Sequence, residues 1–152
     1  MTISLLQRRE IEARVVGPIF RAFAAEIGEE RARAILAGVV RELATQAGRD
    51  AATVIGDSSI AGLNVAVDGW QQGGALSLDV LEHSDSDLDF NVTRCQYAEM
   101  YQRLGMADLG PILSCSRDGA MIEGFNPGIT LERTQTLMEG ASHCDFRFHS
   151  NK

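Results

Sequence analysis

The chain is poor in the residues that tie small folds together. Its three cysteines, Cys95, Cys115 and Cys144, stand at wide spacings, and neither a CxxC pair nor an HExxH motif occurs. An odd number of thiols so placed, with no export signal, argues against a disulfide framework and predicts reduced cysteines. Long apolar runs are also missing. AILAGVV, the longest, is far too short to cross a bilayer, and MTISLLQRREIE meets charge after two leucines, unlike a signal peptide. A cytoplasmic protein with no membrane partner is therefore expected. Clustered basic charge is missing as well: the formal net charge is −7, spread over mixed-sign segments. A nucleic-acid surface needs Lys and Arg gathered against phosphates, so a nucleic-acid partner is not expected and a small molecule or protein is. Low-complexity segments, internal repeats and linkers are absent from the sequence too.

What the chain does have is apolar periodicity. At 152 residues with 45% hydrophobic and 23% charged, it is large and apolar enough to bury a core as one domain, 1–152. Residues 1–57 read as N-terminal helices and 58–148 as an α+β core. In 4–27, Leu5, Ile11, Val15, Ile19 and Phe23 recur at mostly helical spacing, with Gly28 as a stop and Pro18 as a kink or break. In EERARAILAGVVRELATQAG, Ala32, Ile35, Leu36, Val39, Val40 and Leu43 form one stripe that ends at Gly48. A third helix over 58–72 carries Ile60, Leu63, Val67 and Trp70, capped by Asp57 or Ser58 and stopped by Gly73-Gly74. Trp70 reads as a core or interface anchor.

After the glycine pair the period becomes two. ALSLDVLE and DLDFNVT alternate apolar and polar residues around the turn HSDSD, which predicts a hairpin. RCQYAEMYQRLG and ADLGPILSCSRDGAMIEGF read as helices and FNPG as a turn. A strand ITLERTQTLM, the connection EGAS and a last strand HCDFRF (143–148) make a second hairpin. The fold class is thus α+β: an antiparallel four-stranded sheet of two hairpins packed with about five helices on one face.

Alternation sorts the candidate chemistry. On 143–148, His143, Asp145 and Arg147 share one face and Cys144, Phe146 and Phe148 the other; on the second strand Asp89, Asn91 and Thr93 oppose Leu88, Phe90 and Val92. The polar faces are either simply wetted or line a pocket. His143 suits general acid or base work, with Asp145 beside it, and Arg147 either captures a substrate carboxylate or pairs across strands with Glu132 or an Asp of the neighbouring strand. In SCSRD (114–118), Cys115 and Asp118 are neighbours at i and i+3 on a helix. A carboxylate there disfavours thiolate, so Cys115 is either inert or needs His143 or an arginine close by. A metal held by 115, 118, 143 and 145 has no diagnostic spacing, and no cofactor is expected.

The segments WQQGGALSLDVL, FNVTRCQYAEMYQRLG (90–105) and LSCSRDGAMIEGFNPGITLERTQTLMEGASHCDFRF (113–148) together resemble the L-2-amino-thiazoline-4-carboxylic acid hydrolase family over roughly 58–148. NVTRCQYAE, LSCSRD, GFNP and RTQTLMEGASHCDFR are its most specific pieces. Gly119 departs from it, standing where a larger residue is expected after SCSRD. The acidic or amide residue before the Cys-Phe strand is also similar to the 4-vinyl reductase domain, a small-ligand-binding fold. The hydrolase resemblance implies that water adds to a ring carbon between nitrogen and sulfur and that the C–S bond opens, giving an N-carbamoyl amino acid. Arg147 or Arg94 would then take the carboxylate of a heterocyclic substrate. Asp118, Asp145 or Asn91 would hold the amidine nitrogen, and Asn91 or Thr93 would donate to the developing charge. The attack would come from water activated by His143 or from Cys115. The competing expectation is a non-catalytic small-molecule-binding or sensing domain for an anionic ligand. Homo-oligomerisation through the Trp70 helix and the apolar stripes fits either.

Overall fold

The computed structural model describes residues 2–151. Helix α1 spans Leu5–Ile27 and opens with a capping box in which the Ser4 side chain accepts from the Gln7 backbone and the Gln7 side chain from Ser4. Of the kink or break expected at Pro18, the break does not occur: the helix runs on through it. Pro18 is exposed, where water can satisfy the carbonyl that its missing N–H leaves free. Helix α2, Glu29–Ile55, passes Gly48 and stops at Gly56, which takes the left-handed conformation (φ 75°). Helix α3 follows at Ile60–Trp70, then β1 at Leu76–His83, β2 at Asp87–Cys95 and α4 at Gln96–Arg103. A π-helical turn, Pro111–Cys115, leads into α5 at Arg117–Phe125. Strands β3 (Ile129–Glu132) and β4 (Cys144–Ser150) complete an antiparallel sheet of order β1-β2-β4-β3.

The fold is therefore the expected α+β arrangement, with differences that have physical reasons. Gly48 is a contact, not a stop: a Cβ there would collide with the Met121 carbonyl oxygen of α5, and one at Gly124 would collide with the Thr45 carbonyl oxygen of α2. Two glycines facing across the crossing bring the helix backbones into direct contact. The strand expected over ITLERTQTLM ends at Glu132, opposite Arg147. Beyond it the Thr134 and Gln135 N–H groups donate to the Asp145 carboxylate at 2.8 and 2.9 Å instead of to a strand, and 133–136 leaves the sheet as a strap.

The apolar face of the sheet (Leu88, Phe90, Val92, Cys144, Phe146, Phe148) packs against Ile60, Leu63 and Val67 of α3 and Met121, Ile122 and Phe125 of α5. Phe90 and Phe146 stack with ring centres 4.9 Å apart. A second cluster joins Ala13, Phe20, Ala32 and Val40 of the first two helices to Tyr97, Met100 and Tyr101 of α4, with Leu109 and Leu113. The single stripes expected on α1 and α2 do not all turn inward: Ile11, Val15, Ile19, Phe23, Ile35, Val39 and Leu43 are exposed. On α1 the inward face is carried by Ala13, Gly17 and Phe20, with Met106 seated on Gly17.

Gly124→Ala should cost about 3 kcal/mol through backbone overpacking, a fall in Tm of roughly 10 °C, whereas Gly69→Ala, in open space on α3, should be neutral or slightly stabilising. Thermal melts of the two variants against wild type check this.

Candidate functional site

Between the two core clusters lies a cavity of about 120 Å³, comparable to the roughly 150 Å³ engineered void that holds benzene. Trp70, Leu76, Val92, Tyr97, Met121 and Phe146 form most of its apolar wall. Its polar atoms come from residues far apart in sequence. Ser114 and Cys115 arrive on the π turn, Asp118 and Arg117 on the first turn of α5, Arg133 on the strap, and Arg9 on α1. The π register closes with the Ser116 N–H donating to the Pro111 carbonyl at 2.8 Å, and local π turns of this kind recur at functional sites.

Asp118 is the carboxylate of this cavity. Arg133 Nη1 donates to its Oδ2 at 2.6 Å while Nη2 donates to the Cys115 carbonyl at 3.1 Å, and the guanidinium lies 5.1 Å from the centre of the Phe146 ring. The Asp118 side chain keeps only 21% of its surface. Burial pushes its pKa up to about 6, opposed by attraction and hydrogen bonding from Arg133 and by the charges of Arg9 and Arg117. A carboxylate poised near neutral pH is suited to proton transfer.

All three thiols line the same cavity and none is bridged. Burial pushes Cys115 up to about 12, with Asp118 raising it further and Arg133 opposing, and pushes Cys95 up to about 11. Burial also raises Cys144. Cys95 accepts from the Ala98 N–H at 3.4 Å and Cys144 from the Leu137 N–H at 3.2 Å. Among the described residues Cys115 is the thiol whose sulfur accepts no backbone N–H. At the Arg9 end, Arg9 donates both to Glu12 Oε1 (3.1 Å) and Oε2 (3.0 Å), and Arg117 reaches the same carboxylate at 3.5 Å. Burial and the charge of Arg9 lower the Arg117 pKa. Two largely buried guanidiniums thus share one carboxylate.

Of the residues singled out from the sequence, Cys115 and Asp118 meet here. Asn91, Thr93, Arg94, His143, Asp145 and Arg147 do not line this cavity. Asn91, Asp145 and Arg147 lie on the opposite face of the sheet, where Arg147 Nη2 donates to Asn91 Oδ1 at 2.9 Å and Nη1 to the Phe90 carbonyl at 3.1 Å, rather than pairing with Glu132. Thr93 donates to the Ser77 carbonyl at 3.3 Å, and Arg94 Nε donates to Glu99 at 3.1 Å. His143 sits by Ser142 Oγ at 2.9 Å, and its carbonyl accepts from Gln135 Nε2 at 3.0 Å. Asp145 holds the strap: burial raises its pKa, but bonds from the Thr134 hydroxyl and the Gln135 and Thr134 N–H groups outweigh this and lower it. Gly119, where a larger residue was expected, faces open space. Sequence reasoning missed Arg133, Arg9 and Arg117. Arg133 was hidden inside a predicted strand, and no local pattern linked α1 to α5. Among the described residues, no group of three or more His, Cys, Asp or Glu is placed to hold a metal ion. None of their helices is long and apolar enough to cross a membrane.

The cavity is small and mostly apolar, lies among helices over an antiparallel sheet, and holds one paired carboxylate together with surplus guanidinium charge. Comparison with protein families gives the relationship: residues 8–148 match the L-2-amino-thiazoline-4-carboxylic acid hydrolase family. The chain belongs to that family. Among curated proteins no match is found. Among solved structures, the phenol-responsive sensory domain of the transcription activator PoxR, crystallised with phenol, superposes with a TM-score of 0.52 at 14% identity. The match covers 90% of this chain and 73% of that one. At that identity the likeness is one of fold.

With its thiol held neutral, Cys115 in the folded protein at pH 7.5 should be alkylated by iodoacetamide on the order of a thousandfold more slowly than a free cysteine, and the difference should vanish in urea. Peptide mass spectrometry of time points gives the rate; a native rate near that of free cysteine would mean a thiolate is present.

Proposed function

We propose that the protein is a hydrolase that opens a small cyclic amidine carrying a carboxylate, and that its chemistry takes place in the cavity beside Asp118. The observation that carries the reading is the Asp118 carboxylate, pinned by Arg133 in an apolar enclosure the size of one small ring. Ionised Asp118 accepts a proton from water as the water oxygen bonds to the amidine carbon. Asp118 passes that proton to the adjacent ring nitrogen; as the new hydroxyl becomes a carbonyl and the C–S bond breaks, the hydroxyl proton goes to Asp118 and from it to the departing sulfur. The sum is the gain of one water. Arg9 and Arg117, which share only Glu12 between them, supply positive charge for the substrate carboxylate.

Hydration by water fits better than a covalent route through Cys115, because desolvation and Asp118 hold that thiol protonated. His143, Asp145, Asn91 and Arg147 support the site from behind, through the strap and the strand order, and Thr93 and Arg94 belong to the outer surface. A second reading, a ligand-binding or sensing domain without turnover, is favoured by the apolar wall of the cavity and by the shared fold with a phenol-responsive sensory domain.

Incubation with a panel of thiazolines, cyclic amidines, hydantoins and lactams, read by mass spectrometry for the gain of one water, tests both. Turnover is expected in wild type and in His143→Ala, within tenfold in Cys115→Ala, and reduced about 10²–10⁴-fold in Asp118→Asn. kcat/KM should fall tenfold per pH unit below about 6, as Asp118 takes up its proton. Loss of turnover in Cys115→Ala with Asp118→Asn active would transfer the chemistry to the thiol. Saturable binding with no product from any member would select the sensing reading.

A further inference from the structure

The helices that wall the cavity on one side carry an apolar surface on the other. Ile11, Val15, Ile19 and Phe23 follow one another at intervals of four along α1, and Ile35, Val39 and Leu43 do the same along α2. Each is between 45% and 59% exposed. The chain doubles back at Gly28 and the two helices pack together, with Ala13, Phe20, Ala32 and Val40 in one inward cluster and both stripes left outside it. Gly38, with nothing within 4 Å of where a Cβ would stand, lowers the surface between Ile35 and Val39. The seven side chains hold on the order of 700 Å² of apolar area in water, above the largest patch of a typical monomer and near the roughly 800 Å² that each partner buries in a standard stable complex.

We infer that this face is a two-fold interface with a second copy of the same chain, the two helical hairpins packing face to face as a four-helix layer. Charge around the patch supports a like partner. Arg14 pairs with Glu10, Arg33 with Glu29 and Asp108, and Arg41 with Glu123, all within the chain. The rim therefore offers no uncompensated block of one sign to select a basic or acidic partner. A ridge pattern repeated every four residues on both helices is also self-complementary, since an i±4 ridge seats in the i±4 groove of an identical helix. Of the remaining exposed large apolar side chains among the described residues, Ile3, Val54, Val65, Val80 and Leu81, the adjacent pair Val80 and Leu81 on edge strand β1 is the competing candidate. It holds two residues and carries register irregularities at Ser77/Leu78 and Val80/Glu82, a feature that blunts edge-to-edge pairing.

The full chain is examined by light scattering after size exclusion, and by sedimentation, from about 1 to 100 μM. The expected mass in wild type is twice the 16.5 kDa of one chain. Ile19→Asp with Val39→Asp should run as a monomer, with association weakened at least a hundredfold and a circular dichroism spectrum like that of wild type. Leu81→Asp should remain dimeric. Because the substituted residues are exposed, the fold should tolerate the change; should the pair fail to fold, Val15→Lys alone gives the same readout. A monomeric wild type at 100 μM, including one that binds an apolar dye or another protein through this face, overturns the inference. So does a dimer that survives the α1 and α2 substitutions but is lost in Leu81→Asp.

Discussion

The ion pair between Arg133 and Asp118 is the contact on which the site depends, because it fastens the strap after β3 to the first turn of α5 across the cavity. Both side chains are largely out of water, at 17% and 21% of their surface. Removing one partner from such a pair costs about 3–5 kcal/mol, since the other charge is left buried alone. The guanidinium is held on three sides: by the Asp118 carboxylate, by the Cys115 carbonyl and by the Phe146 ring. Desolvation still wins over that attraction at Asp118, which is why its pKa rises rather than falls.

The two faces of the sheet cooperate in placing this pair. Phe146 points inward and supplies the ring under Arg133, while its neighbour Asp145 points outward and binds the backbone of Thr134 and Gln135. The residue between those two anchors in space is Arg133. One strand thereby fixes the position of the strap from its apolar side and the path of the strap from its polar side. The α2–α5 crossing has a similar role at the other wall: with glycine at 48 and 124 the backbones touch, and α5 brings Asp118 and Arg117 to the cavity. A bulkier crossing would move both away from Arg133.

Much of the fold was legible because periodicity reports which face is apolar. Leu88, Phe90 and Val92, and Cys144, Phe146 and Phe148, turned inward as their alternation required. Cys115 and Asp118 were legible as neighbours for the same local reason. Periodicity could not say what an apolar stripe packs against. On α1 the large residues at 11, 15, 19 and 23 face outward and the small ones at 13 and 17 inward, an arrangement that follows from the close approach of Met106 and not from hydrophobicity. Nor could alternation tell a strand from a strap over ITLERTQTLM, because the side chain that ends the strand, Asp145, lies thirteen residues beyond Glu132.

By itself the sequence determined the α+β class, the hairpins, the inward phenylalanines and, over roughly 58–148, the resemblance to the hydrolase family whose match extends over 8–148, since these rest on local spacing and on long specific motifs. The tertiary structure alone decided which polar residues share an enclosure. It placed Arg9, Arg117 and Arg133 with Asp118, and left His143, Asp145 and Arg147 behind the sheet. The physical reason is that a strand's two faces are separated by its own backbone. Chemistry gathers where different elements enclose a common space, and the distances that decide this are long in sequence.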